Sequence, residues 1–159
     1  MLKFDQGSAR FNFRSVAVVI HDNHVLLHRA VGDSFWALPG GRVEFFENSD
    51  ATLNRELLEE LGVEIVVKRH LWYVENFFEY SNKQFHEIAN YFLAQLSEPN
   101  QFPMGAVFCG IEEEVDLEFK WCSLTDLSSI ELKPTFLQHG LVNLPMETKF
   151  IKVNELNVG

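Results

Sequence analysis

Cysteine is nearly absent. Cys109 and Cys122 are the only two in 159 residues and show no metal-ligand spacing, so neither a disulfide framework nor a zinc ribbon fits, and reduced thiols are expected. Long apolar runs are missing too. None approaches the about 18 residues that a membrane-spanning helix needs, and the opening MLKFDQGSARFNF has no apolar signal stretch. A soluble cytoplasmic protein with no membrane partner is the expectation. Basic residues are scarce: 13 Lys and Arg stand against 23 Asp and Glu, for a net charge of −10. No basic patch is available to neutralise a phosphate backbone, which argues against a general nucleic-acid binder and leaves room for a small phosphorylated substrate bridged by metal. Repeats and low-complexity segments are absent as well.

What is present fits one domain spanning 1–159, long enough to bury roughly two-thirds of its unfolded surface. Phe11 to Ile20 alternates and then runs apolar, as a strand covered on both faces would. Asp22-Asn23 turns the chain, and His24 to Arg29 returns as a second strand. Asp33 to Pro39 is a short extended piece. Trp36 reads as core or loop anchor, with ligand stacking by Phe35 or Trp36 as the alternative. Glu64 to Tyr80 and Phe85 to Leu96 form a long hairpin about Ser81-Asn82-Lys83. Its aromatic residues, among them Trp72, Tyr73, Phe77, Phe78 and Tyr80, exceed what one core face needs and could line a base or sugar pocket or a homodimer interface. His86 and Glu87 near its start read as a structural pair.

Ser97 to Glu114 loses periodicity, carries Pro99, Pro103, Gly105 and Gly110, and is expected to be one long loop. Val115 to Cys122 is a strand, Ser123 to Asp126 resembles a capping box, and Pro134 can open a second helix running to about Asn143. The tail from Glu147 adds an edge strand or stays loose. Strand-rich segments interrupted by one strong helix predict an α+β mixed sheet flanked by helices, an α/β/α sandwich.

That strong helix spans Ser49 to Leu61. Asn48 or Ser49 can cap it, Gly62 can end it, and Leu53, Leu57 and Leu61 form a buried row widened by Ala51 and Leu58. On another face Glu56, Glu59 and Glu60 stand at i, i+3 and i+4, and like charges at this spacing repel. A hard divalent cation removes that repulsion, and oxygen ligands suit Mg²⁺ or Mn²⁺. Just before the helix, Pro39 stiffens a loop whose Gly40 and Gly41 leave the backbone open to close approach by metal and phosphate.

Gly41, five residues, Glu47, seven residues, Arg55-Glu56-Leu57, one residue, Glu59-Glu60, one residue and Gly62-Val63 together resemble the Nudix box at every defining position. One neighbouring position departs from the usual pattern, with Phe46 standing where a small residue, often Gly, precedes Glu47. The resemblance implies that Glu56 and Glu60 are the main metal ligands, that Glu59 acts directly or through a metal-bound water, and that the Gly40 carbonyl adds an oxygen. It implies too that Glu47 and Arg55 pair to hold loop against helix. Gly40, Gly41, Arg42, Phe35, Trp36 and Tyr80 are the expected substrate contacts. The implied activity is Mg²⁺- or Mn²⁺-dependent hydrolysis of a nucleoside diphosphate linked to another moiety X, such as a nucleotide sugar, a dinucleoside polyphosphate or a nucleoside triphosphate.

Substrate markers of the family are mostly missing. Neither the array of NADH pyrophosphatases nor a clear coenzyme A motif is found. Phe78 lies 15 residues after Val63, where many ADP-ribose enzymes carry proline, and Tyr80 lies 17 after it, near a tyrosine of dinucleoside polyphosphate hydrolases. The alternative is a non-catalytic Nudix-fold nucleotide-sugar sensor, although such proteins usually lose box glutamates and carry a DNA-binding domain. For the general base, the run Glu112, Glu113 and Glu114 offers a loop carboxylate, with Glu113 and Glu114 favoured as nearest the ordered strand.

Overall fold

The structure, a computed structural model, describes residues 1–156. Strand β1 (Lys3–Gln6), which the sequence reading did not separate from the N-terminal arm, folds back on β2 (Ala9–His21). β2 is the spine of the molecule. Asp22 and Asn23 both take left-handed backbone, φ 48° and 59°, giving the two-residue turn that suits the twist of a hairpin. β3 (His24–Ala30) follows, pairs with β2 only at Ile20–Val25 and His21–His24, and then departs. In its place β4 (Gly40–Arg42) lies against Arg14–Val16 of β2. Gly40 is required there by packing, since a Cβ would sit 2.1 Å from the Ser15 carbonyl oxygen.

Helix α1 (Ser49–Leu61) has the expected bounds. Its C-terminus closes through the left-handed Gly62, whose N–H donates to the Leu58 carbonyl while the Val63 N–H reaches the Leu57 carbonyl. Its N-terminus differs from expectation: neither Asn48 nor Ser49 caps it with a side chain. Ser49 instead anchors the helix to the sheet, its carbonyl accepting from Ser15 Oγ at 2.6 Å and its hydroxyl from Asn90 at 3.1 Å. The buried stripe is also differently composed. Leu53, Leu57 and Leu61 are buried, but Ala51 and Leu58 face solvent, and Thr52 and Glu60 are buried in their stead.

The hairpin of β5 (Ile65–Tyr80) and β6 (Lys83–Leu96) turns at Ser81 and Asn82, again left-handed. The segment 97–114 is more ordered than a plain loop. It holds a 3-10 turn at Pro99–Gln101 and strand β7 (Phe108–Cys109), with Phe102, Phe108 and Phe119 stacked in series. β8 (Leu117–Ser123) pairs with β7 and with the whole of β3. The Ser123 hydroxyl then accepts the Thr125 N–H and caps a 3-10 helix at Leu124–Ser129. The second helix, α2 (Leu137–Gly140), is one turn long rather than reaching Asn143, and β9 (Lys149–Asn154) closes the sheet beside β5.

The strand order is β7-β8-β3-β2-β6-β5-β9, with β1 and β4 also on β2. β2 with β6 and β5 with β9 run parallel and the other pairs antiparallel, so the sheet is mixed. One face is covered by α1 through Leu53, Leu57 and Leu61 against Ala17, Val19 and Phe119. The other carries Val16, Trp72 and Tyr91 under Leu127, Leu137 and Leu141 from the 3-10 helix and α2. Each fully buried leucine contributes roughly 1.5–3 kcal/mol of apolar transfer. Cys109 is exposed, Cys122 is buried, and both are free thiols as expected. Among the described residues no helix is long and apolar enough to cross a membrane.

Candidate functional site

A cavity of about 1400 Å³ opens where β3 leaves β2, bounded by β4, the last turns of α1, the floor of β2, β6 and β5, and the turn before β8. At its acidic end Arg55 of α1 donates twice to the loop residue Glu47, Nε to Oε2 at 2.8 Å and Nη2 to Oε1 at 3.0 Å. Thr52 donates to the same carboxylate at 2.7 Å, and Arg55 Nη2 also donates to the Arg42 carbonyl at 3.0 Å. The Arg55 guanidinium therefore ties the Gly40–Glu47 segment to the helix. Held chiefly by that guanidinium, the Glu47 carboxyl drops to about 2. Arg55 Nη1 turns to Glu56 Oε1 at 2.8 Å and, more loosely, to Glu59 Oε2 at 3.4 Å.

The three helix carboxylates are not equivalent. Glu59 is half exposed, Glu56 is partly covered, and Glu60 is only 6% exposed. Glu60 shares the acidic row of the helix, away from the leucine row, and is nevertheless buried. It is buried because β3 and the turn before β8 close over it: His28 Nδ1 lies 4.0 Å from its Oε2, and Ile111 N–H donates to its backbone carbonyl at 2.8 Å. Burial first, and the neighbouring Glu56 second, raise the Glu60 carboxyl well above the usual range, and burial raises Glu56 too. His28 is pushed down to about 3, by burial foremost and then by Arg14, so it is a neutral imidazole. Among the described residues both Glu60 Oε2 and His28 Nδ1 are buried without a hydrogen-bond partner.

An unpartnered buried carboxylate oxygen beside two further carboxylates is what a hard divalent cation would satisfy, so the donor set fits Mg²⁺ or Mn²⁺. The side chains do not yet converge on one point, as no three His, Cys, Asp or Glu groups among the described residues form a ready cluster. Gly41 has a use beyond the one expected of it. A Cβ there would lie 2.1 Å from the Glu56 carboxyl carbon, so the missing side chain makes room for Glu56.

Of the expected substrate contacts, Gly40, Gly41, Arg42, Phe35 and Tyr80 line the cavity. Trp36 does not. It is core, with Arg29 and Lys120 on its ring at 4.3 and 4.4 Å. Tyr80 donates to Asp33 at 3.0 Å and meets Phe35 edge-on. Of the acidic run only Glu112 reaches the cavity, and its charge acts on Glu60. Glu113 and Glu114, the two favoured by their nearness to β8, lie outside it, because the hydrogen bond of Ile111 to Glu60 fixes where the turn enters the site.

Sequence reasoning missed the floor. Arg10, Asn12 and Arg14 of β2, Asn76 of β5 and Phe85 of β6 all line the cavity, with Glu87 between them. The signal was in RFNFR, where polar residues alternate with Phe11 and Phe13 at strand period. The polar set faces inward: Asn12 is 1% exposed. His86 and Glu87, read as a pair, point to opposite faces, with His86 packed edge-on to Phe77 at 4.6 Å.

Comparison with known proteins finds a match to the family model of the NUDIX domain over residues 12–140. Among solved structures, an ADP-ribose pyrophosphatase from Streptococcus suis aligns at 18% identity over 89% of this chain and 98% of that one, with a TM-score of 0.60. A MutT protein from Methanosarcina mazei aligns at 22% identity over 83% and 91%, with a TM-score of 0.58. A UDP-X diphosphatase aligns at 19% identity over 88% of this chain and 66% of its own, with a TM-score of 0.57. At these identities the likeness is one of fold.

Proposed function

Since the match over residues 12–140 shows that the chain belongs to the Nudix family, we propose that it is a Mg²⁺- or Mn²⁺-dependent pyrophosphohydrolase acting on a nucleoside diphosphate linked to a second moiety. The observation that carries this is the Glu60 oxygen, buried and without a partner among the described residues, beside Glu56 in a cavity that Arg14 and Arg42 also line. We read the whole chain, 1–159, as one such domain.

Glu56, Glu60 and the Gly40 carbonyl would hold the metal, with Glu59 direct or through water. Bound there, it would acidify a coordinated water and screen the phosphoryl oxygens. The protein's own groups do the rest. Arg55 fixes the Glu56 carboxylate at 2.8 Å and locks the loop through Glu47. Arg14 and Arg42 offer positive charge to the pyrophosphate, which as a dianion or more needs it inside a chain of net charge −10. Glu112 accepts the proton of the attacking water, being the one carboxylate of the run 112–114 that lines the cavity. Names of the fold neighbours, an ADP-ribose pyrophosphatase and a UDP-X diphosphatase, support this substrate class.

The test is a screen of nucleoside diphosphate and triphosphate derivatives with Mg²⁺ or Mn²⁺, with products identified by phosphorus NMR. Pyrophosphate cleavage that falls at least about 10²-fold in Glu60→Gln is expected. Specific nucleotide binding without any cleavage would instead make the protein a sensor.

A further inference from the structure

The cavity floor is ordered in rows, because β2, β6 and β5 are registered side by side. Arg10, Phe85 and Phe78 form one row, Asn12, Glu87 and Asn76 the next, and Arg14 heads the third beside the small Ala89. Successive rows lie two residues apart along a strand, about 7 Å. The middle row is unusual for a sheet interior. Asn12, Glu87 and Asn76 are 1%, 5% and 5% exposed, and each lines the cavity. Asn12 Nδ2 donates to Glu87 Oε1 at 2.8 Å, which aims the carboxylate, and Arg14 Nη1 stands 3.9 Å from the same oxygen. Among the described residues Asn76 Oδ1 is buried with no partner and Glu87 Oε2 accepts no hydrogen bond.

A buried acceptor without a donor, as at Asn76 Oδ1, costs stability unless a ligand supplies the donor, and Glu87 Oε2 is a second free acceptor beside it. A carboxylate flanked by amides suits neighbouring hydroxyl groups. The rows on either side say what those hydroxyls belong to. On the side of Arg14 lies the acidic end, whose Glu56 and Glu60 feel the Arg14 charge. On the other lie flat rings, Phe78 and Phe85 stacked at 4.9 Å, with Arg10 over Phe85 at 5.9 Å. Cation, hydroxyl acceptor and ring follow one another in the order phosphate, sugar and base.

We propose that a ribonucleotide lies along β2 with its phosphate at Arg14, its base against Phe85 and Phe78, and its ribose 2′,3′-diol donating to Glu87 and Asn76. The site thereby selects ribonucleotides over deoxyribonucleotides. This rests on the pyrophosphohydrolase reading for the direction of the phosphates, and it adds which half of the substrate is read and through which atoms.

Nucleoside 5′-monophosphates test it, because they contain no pyrophosphate and are not turned over. AMP, GMP, UMP and CMP and their 2′-deoxy counterparts are titrated calorimetrically into the full chain with Mg²⁺. The best ribonucleotide should bind about 10- to 100-fold tighter than its deoxy form, the size of a charge-assisted hydrogen bond. Glu87→Gln should shrink that ratio by weakening the ribonucleotide alone, and Phe85→Leu should weaken both forms equally. Equal affinity of ribo and deoxy forms for the wild-type chain, a ratio that survives Glu87→Gln, or no monophosphate binding would each overturn the proposal. The wild-type comparison decides even if a variant does not fold. Ribonucleotide selectivity in a chain that cleaves no pyrophosphate would leave this inference standing and remove the hydrolase reading.

Discussion

Phe46 sits in left-handed backbone at φ 65° with its side chain fully in solvent, its ring tilted against that of Phe45 at 6.1 Å. A bulky residue there costs of order 1–3 kcal/mol, partly offset by the entropy a glycine would lose on folding. Phe46→Gly should therefore stabilise the protein by about 1 kcal/mol, a rise of roughly 2–4 °C in Tm for a chain of this size. A thermal melt that is unchanged or lower would show that the loop carries no such strain. Glu60 behaves in the opposite sense to an ordinary surface residue. Its charge is opposed by burial and by Glu56, so Glu60→Gln should keep or raise the melting temperature of the metal-free protein while removing activity. A destabilised variant would mean that the carboxylate has a structural partner.

At the scale of elements, the tie between the Gly40–Glu47 segment and α1 is electrostatic and therefore depends on pH. The Glu47 carboxyl is lower in the folded chain, about 2, than its ordinary 4.5, so its contribution is full above about 4.5 and is lost as pH falls through about 2. Glu47→Gln should lower Tm at pH 7, and its difference from wild type should shrink at pH 3. A pH-independent difference would sink the ion-pair account. The turn between β7 and β8 is pinned beside Glu60, so Glu112→Gln should cost about 10²-fold in kcat and Glu113→Gln little. Near-wild-type kcat in both would return the whole run to solvated surface, and equal losses would overturn the choice of Glu112. The helix and its acidic row were legible in the sequence because both follow from the spacing of residues within one element. The burial of Glu60 was not, since His28 and Ile111, which close over it, come from β3 and the turn before β8. The floor row of Asn12, Glu87 and Asn76 was hidden for the same reason: each residue comes from a different strand, and only register brings the three together.

For the whole molecule, metal should act as a folding ligand. At a hundredfold excess over Kd a cation that binds only the folded chain adds about 2.7 kcal/mol. Mn²⁺ is expected to raise Tm by roughly 5–10 °C in the wild type and by little in Glu60→Gln. A shift equal in both would place the cation elsewhere. The parallel pairing of β2 with β6 runs from Ala9–Gln84 to Val19–Ala94 and joins segments 75 residues apart. Closing so long a loop is slow, and no local hairpin can substitute for it. A shift of one residue would turn Phe11 and Phe13 into the cavity and send Arg10, Asn12 and Arg14 out. The ability to bind is thus an all-or-none property of the finished chain. A nascent or partly unfolded molecule has no weakened version of the site, and a ligand of that cavity can favour the folded chain only by mass action, after those two strands have joined.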